Sequence, residues 1–477
     1  MVRVRFATAP TGYLHLGNIR TALFNYLFAR REKGVFILRI EDTDLDRSEE
    51  IYEKAILEDL KWMGLLWNEG PEAGGPHGPY QQSKRLTIYA GFLEKLLREG
   101  KAYPCYCTGE ELEERRRLAQ LEKRPPRYDN RCRTISQAEI KKREAEGVRP
   151  TVRFKIETPV VTFHDLIRGE VRFDLDQMMG DFIIARADGK PTFHLGVCVD
   201  DCLMKITHVI RGEDHLSNGP RHQLLIRALG FEPPQYGHLS LIHGPGGEPL
   251  SKRLESISIR EFRRRGFLPE ALSNYLALLG WSPGDNREFF TWKELQELFD
   301  LKRVVKSAAI YDPKKLDWLN GEHLRSLSDE EFVRRSVEFL GDEVKNFGSP
   351  DQVRRILPVF KDNIHCLEEL RDRLQILSDD FSYENRLLME SPQSREIFQA
   401  ALNALSGLNG EGETVFDSFV DAVKPKVRAK GKDLFMPLRM ALTGKEHGPE
   451  LKRIFPVLGL KSLKRRFERA LSQFTLK

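Results

Sequence analysis

The stretch that most constrains the fold runs from residue 2 to residue 41: VRVRF, then ATAPTGYLHLGN, then IRTALFNYLFARREKG, then VFILRIE. The first and last pieces read as strands. Between them Ile19, Leu23, Leu27 and Phe28 recur at helical spacing, and Gly34 stands just past the helix end. A strand, a Gly-containing turn, a helix and a strand make a βαβ unit, whose turn lies at the carboxyl edge of a parallel sheet. Free amides at the helix start favour an anion there, phosphate first of all. An ordinary tight turn with a surface histidine at His15 explains the same letters. The stretch alone leaves both readings open.

A chain of 477 residues holds roughly two to four domains. Hydrophobic residues make up 40%, enough for sizeable cores. No apolar run reaches the ~18 residues of a membrane span. The opening MVRVRFATAP has neither an apolar signal region nor a small-residue cleavage site. Six cysteines are too few for a disulfide scaffold. A cytoplasmic protein without membrane contact is the expectation.

Net charge is +5, from 76 basic and 71 acidic residues, so the average names no partner. Positive charge gathers in RRR at 115–117, KPKVRAKGK at 424–432 and KSLKRRFER at 461–469. One such run is ordinarily a solvated helix face. Several of them beside a nucleotide-type motif make a nucleic acid a fair partner.

The βαβ character covers 1–100. It gives way at 101–185 to charged helical, Pro-rich and strand-like segments, which read as an insertion. The apolar runs of KPTFHLGVCVDDCLMKITHVIRGEDH then suit buried strands resuming the sheet over 186–250. Helical patterns dominate 251–314, and amphipathic helix fills 315–477, where SDEEFVRRSVEFL opens like a capping box. The fold expected is α/β: a Rossmann-type parallel-sheet catalytic domain with an α/β insertion, followed by an all-α C-terminal region.

A second chemical signal is GPGGEPLSKRLES at 244–256. Its glycines free the loop to move, and a lysine on such a loop can follow charge on phosphate oxygens. Alone it is an exposed basic loop. Taken together, RFATAPTGYLHLGN, FILRIEDTD, HVIRGEDHLSN, PLSKR and GFLPEALSNYLALLGW stand in the order and spacing of one family. The chain resembles bacterial glutamyl-tRNA synthetases, class I aminoacyl-tRNA synthetases, over essentially its whole length. The opening motif resembles their HIGH signature and PLSKR their KMSKS signature.

The resemblance implies a glutamate–tRNA ligase that forms glutamyl-adenylate from ATP and passes the acyl group to the terminal adenosine of tRNA(Glu). It implies catalytic roles for His15 and Lys252, and ATP contacts at Thr8, His15, Gly17, Asn18, Ser251 and Lys252, with Mg²⁺ accompanying the ATP. It implies glutamate contacts at Arg5, Ala7, Glu41, Phe193, Val197 and Arg211. Guanidinium forks suit the substrate carboxylates, and a glutamine amide would set donor against donor. For Arg5 and Glu41 a strand-edge salt bridge is the competing reading.

The insertion then corresponds to an acceptor-binding domain, 251–314 to a helical stem-contact domain and 315–477 to an anticodon-binding domain, with 424–432 and 461–469 near backbone phosphate. A monomer is the family expectation. Members differ in whether they also load tRNA(Gln), a choice associated with an arginine that aligns at Arg373 or Leu374. A non-catalytic tRNA-binding paralogue on the same scaffold is the alternative.

Four positions depart from the family pattern: Thr8-Ala9 replaces Pro-Ser, Phe193 replaces Tyr, and Pro249 replaces the first lysine of KMSKS. The cysteines depart as well. Cys105-x-Cys107 and Cys132 match the zinc spacing of some members, but Thr134 stands where the fourth ligand, usually His, belongs. A structural zinc site wants four ligands, so three free thiols are expected rather than zinc. Cys198, Cys202 and Cys366 read as core residues.

Overall fold

Apolar, β-branched sequence puts Arg3–Thr8 (β1) and Val35–Ile40 (β2) into parallel strands, paired from Arg3 opposite Val35 to Thr8 opposite Ile40. The helix Leu16–Arg31 (α1) connects them. Ile19, Leu23 and Leu27 are fully buried and Phe28 only partly so. The left-handed residue after α1 is Lys33, with φ 50°, and not Gly34. Glycine at 34 serves close approach instead, because a Cβ there would run into the Val2 carbonyl oxygen. The structure is a computed structural model describing residues 1–43, 49–125, 127–178, 180–248, 258–408 and 414–474, apart from the Asp176 side chain.

Seven further strands position the site: Ala102–Cys105 (β3), Thr151–Phe154 (β4), Val160–Asp165 (β5), Gly169–Asp174 (β6), Phe182–Ala185 (β7), His208–Gly212 (β8) and Gln235–Leu239 (β9). Strands β3, β4 and β7 form an antiparallel sheet of their own. Strand β8 runs parallel to β9, and β5 joins β9 in parallel at Asp165 opposite Tyr236. The Thr207 amide donates to the Arg3 carbonyl oxygen at 2.9 Å, which sets β1 beside β8. The β5–β6 hairpin, read from sequence as part of the insertion, therefore extends the β8–β9 sheet. Chain connections run outward from β1 towards β2 and from β8 towards β9, so β1 and β8 flank the switch point where open α/β sheets leave a crevice.

The apolar run after Lys190 corrects one expectation. Phe193–Leu203 is a helix rather than a strand, and Leu195 through Asp201 are all buried on it. Burial on every side removes the period that tells a buried helix from a buried strand.

The chain divides into two units, 1–262 with 272–313, and 263–271 with 314–477. Every regular element described in the second unit is helical. There Ser328 caps its helix by accepting the Glu331 amide at 3.1 Å, while the Glu331 carboxylate pairs with Arg334 and Arg335. Phe419 and Phe455 meet at 4.6 Å in this unit's core.

The basic run 461–469 is partly structural. Arg466 is fully buried, donating to Asp379 and to the carbonyls of Leu442, Ile376 and Ser378. Arg469 donates to the carbonyls of Asp379 and Phe381. These two guanidiniums are therefore spent inside the unit. No described helix is long and apolar enough to cross a membrane.

Candidate active site

His15 is the N-cap of α1. The Gly17 amide donates to its Nδ1 at 3.1 Å, and its own amide donates to Asn18 Oδ1 at 3.3 Å. Burial lowers the His15 pKa, with Asp214 opposing, so the ring is neutral at pH 7. With Nδ1 accepting, the proton sits on Nε2, which makes His15 a donor at the helix N-terminus, where the dipole also favours an anion. Gly17 has a local reason: a Cβ there would lie 3.0 Å from the imidazole Cε1. Asn18, expected at ATP, spends its side-chain oxygen on the cap.

Ser251 and Lys252 lie outside the described residues, as does Pro249. Their flank is described: Ser258 bridges to His15, and the Ile259 amide donates to the Leu14 carbonyl at 3.1 Å. The chain that follows PLSKR thus returns to the HLGN turn.

At the switch point, strands β1, β2 and β8 bring together Arg5, Arg39 and Arg211, all 6% exposed or less. Arg5 Nε donates to Asp201 at 3.2 Å. Arg39 donates to Asp201 at 2.7 Å and to Glu41 at 2.9 Å. Burial would raise the Asp201 pKa, but the two guanidiniums overcome it and hold the carboxylate ionised. Asp200, one residue earlier, takes Arg85 at 2.7 Å, Gln82 at 2.9 Å and Tyr89 at 2.8 Å. Arg39, Arg85, Asp200 and Asp201 were missed in the sequence; two adjacent aspartates inside the apolar run VCVDDCL were the available signal.

Arg211 differs from the others in touching no carboxylate among the described residues. Its Nε donates to His238 Nε2 at 3.1 Å, NH1 meets His222 Nδ1 at 3.3 Å, and NH2 donates to the His215 carbonyl at 3.2 Å. Asp165 is one ring further, 2.6 Å from His238 Nδ1. Burial depresses the Arg211 pKa, which shows how exacting this environment is towards its charge. A buried guanidinium held by neutral rings is a site prepared for an anion.

Of the remaining expected contacts, the Thr8 carbonyl accepts the Glu41 amide at 2.8 Å. Ala7 is partly buried and Val197 is buried. Phe193 is exposed and stacks on His215 with centroids 5.6 Å apart.

Residues 1–318 match the family described as tRNA synthetases class I (E and Q), catalytic domain, and residues 331–471 match an anticodon binding domain. The glutamate–tRNA ligase of Sulfurihydrogenibium sp. is 44% identical over 482 residues, covering 99% of this chain and 100% of the relative. That of Carboxydothermus hydrogenoformans is 44% identical over 475 residues, covering 98% and 99%. The chain belongs to the glutamate–tRNA ligase family. The crystal structure of the Elizabethkingia meningosepticum glutamate tRNA ligase, in complex with its amino acid, shares this ligase's fold with a TM-score of 0.89 at 33% identity, covering all of both chains.

In this ligase the three motif cysteines converge, their sulfurs lying within 4.8 Å of one another. Cys107 and Cys132 are 3.5 Å apart. The Tyr128 hydroxyl lies 3.4 Å from Cys105 Sγ and 3.9 Å from Cys107 Sγ. The neighbouring thiols, the Tyr128 hydroxyl and Arg153 all donate towards Cys105 and draw its thiol pKa down. Three converging thiols are zinc-type ligands, and the Tyr128 phenol beside them would take the fourth position that Thr134 does not. Spacing could not show this, because Tyr128 precedes Cys132.

Leu374 is fully buried, whereas Arg373 is exposed and donates to the Asn363 carbonyl at 3.2 Å. Arg373 lines a small cavity with Phe381, Arg439 and His447. In the 424–432 run, Lys426, Arg428, Lys430 and Lys432 are exposed and carry no ion pair among the described residues. By contrast, Arg115, Arg116 and Arg117 each pair with a nearby carboxylate.

Proposed function

We propose that this chain activates L-glutamate with ATP and transfers it to the 3′-terminal adenosine of tRNA(Glu). The observation that carries the reading is Arg211, a buried guanidinium that touches no carboxylate among the described residues, beside the Arg5–Asp201–Arg39–Glu41 network at the sheet's switch point.

Arg211 and Arg5 take the carboxylates of glutamate, and Glu41, oriented by Arg39, takes the α-amino group. The α-carboxylate attacks the α-phosphorus of ATP and pyrophosphate leaves. A ribose hydroxyl of the tRNA then attacks the acyl carbon and AMP leaves. Little covalent work falls to the protein, and positioning with charge stabilisation lowers the barrier. His15 Nε2–H and the α1 N-terminus offer donors to the phosphates, and Lys252 supplies a further cation. Mg²⁺ arrives with ATP, held by phosphate and water, and neutralises phosphate charge. Glutamine is refused because its amide would point NH₂ at a guanidinium.

Cys105, Cys107, Cys132 and Tyr128 would hold a structural zinc that pins the insertion. The unpaired cations of 424–432 face tRNA phosphate, and Arg373 is the residue through which tRNA(Glu) and tRNA(Gln) are told apart. A monomer in the cytoplasm fits this reading. The test is charging of purified tRNA(Glu) and tRNA(Gln) side by side with ATP and Mg²⁺. Loading of tRNA(Glu) supports the reading, and loading of neither refutes it.

A further inference from the structure

Two imidazoles lie in line between two guanidiniums. Arg211 NH1 meets His222 Nδ1 at 3.3 Å, His222 Nε2 meets His194 Nδ1 at 3.1 Å, and His194 Nε2 meets Arg221 NH1 at 3.3 Å. The proton count along this row does not close. A guanidinium only donates, so His222 Nδ1 must accept from Arg211. His222 then carries its proton on Nε2 and donates it to His194 Nδ1. His194 is left with its proton on Nε2, facing another donor at Arg221. Reversing both tautomers moves the conflict to Arg211 and His222. Protonating either ring removes an acceptor and worsens it; burial keeps both rings neutral, His194 with a pKa of about 3.

Where the conflict settles follows from burial. His222 is 1% exposed, so a proton placed on its Nδ1 would find no acceptor from outside. His194 and Arg221 are half-buried and line a cavity of 910 Å³. The unmatched donor is therefore His194 Nε2–H, set beside the Arg221 guanidinium at the cavity wall. The same wall carries Arg115, Arg127, Arg153 and Phe182. Arg127 has no ion pair among the described residues, and the Arg221 guanidinium lies 5.9 Å from the centre of the Phe182 ring. The volume sits at the upper end of small-ligand pockets, about 300–1,000 Å³, and is far more than an inorganic anion needs.

We propose that His194 Nε2–H and Arg221 form a two-pronged site for a backbone phosphate of the tRNA 3′ strand, one relay of rings away from the glutamate-binding Arg211. A phosphate oxygen accepts from both prongs and gives His194 Nε2–H the acceptor it lacks among the described residues. This rests on the reading that the chain charges tRNA.

The test compares wild type, Arg221→Ala and Arg221→Lys by equilibrium tRNA binding across a salt series and by KM for tRNA, glutamate and ATP. Arg221→Ala is expected to weaken tRNA about ten-fold, leave the other two KM values within about two-fold, and flatten the plot of log affinity against log salt by about 0.7. Arg221→Lys keeps the charge and restores most of the slope. A rise in glutamate KM with an unchanged salt slope would overturn the proposal, making Arg221 a prop for Arg211 through the rings. A rise confined to ATP would overturn it by assigning the phosphate to the nucleotide. The two readings separate in the wild type: a protein that binds tRNA with this Arg221-dependent slope yet charges none keeps the phosphate site and loses the enzymatic reading.

Discussion

Arg211 Nε donates to His238 Nε2 at 3.1 Å, and that bond exists only because Asp165 holds the His238 proton on the opposite nitrogen. Asp165 Oδ1 also accepts the amides of Ile167, Arg168 and His238. One buried carboxylate thus fixes the tautomer that orients the Arg211 fork, the proposed glutamate contact.

Asp165→Asn tests that chain. Three amides claim the carboxamide oxygen, which leaves its NH₂ facing His238 Nδ1 and forces the proton onto Nε2, donor against donor with Arg211. Glutamate KM is expected to rise about ten-fold, the equivalent of ~1.4 kcal/mol, with KM for tRNA unchanged. An unchanged glutamate KM in the folded variant would remove Asp165 from the positioning role.

Phe193→Tyr puts a hydroxyl where the family usually carries one. Phe193 is exposed and rests on His215, so the ring has room for it. A hydrogen bond to a charged group is worth ~1.5 kcal/mol or more, so glutamate KM should fall about ten-fold. A KM that rises would show that this pocket is shaped for the bare ring.

Stability should fall on acidification below neutrality. Burial holds the His194 pKa at about 3 and that of His323 at about 4. It also lowers His222, and it lowers His238 against the opposing pull of Asp165. Above about pH 6.5 neither folded nor unfolded chain protonates these rings; below it the unfolded chain takes up protons first. Each strongly depressed histidine then costs about 1 kcal/mol between pH 7.5 and 5.5. Urea midpoints at the two pH values measure the sum, and a midpoint that rises in acid contradicts it.

The two C-terminal basic runs should part company on mutation. Reversing Lys426, Arg428 and Lys430 to glutamate should weaken tRNA binding and flatten its salt dependence by about 2, without lowering the melting temperature. Arg466→Ala should destabilise the helical unit by about 3 kcal/mol, because four partners lose a buried donor. Equal effects of both on salt dependence would refute the division.

Metal analysis of protein purified without chelator should find one zinc per chain. Tyr128→Phe should lose it more readily to a chelator, and the three thiols should then react with a thiol reagent. Zinc-free protein with fully reactive Cys107 would return the cluster to free thiols.

The HLGN turn, the βαβ unit, Arg5, Glu41 and Arg211 were legible because each sits in a motif of fixed spacing next to a strand or helix boundary. Phe193–Leu203 was not, since the unbroken burial of Leu195 through Asp201 erases its period. Arg39, Asp200 and Asp201 were not, because their meaning lies in contacts spanning more than a hundred residues, such as Arg39 with Asp201 at 2.7 Å. Tyr128 was hidden by its place between two cysteine motifs. In KSLKRRFER the charge pattern was visible but not the burial of Arg466, because a charged residue shows in sequence and its partners do not.

The most direct test is charging of tRNA(Glu) by wild type and Arg211→Gln with labelled glutamate, and with glutamine as competitor. Wild type is expected to load glutamate and ignore glutamine, and Arg211→Gln to lose glutamate loading by at least about a hundred-fold. Undiminished charging by Arg211→Gln would contradict it, because the buried cation would then not be the glutamate site.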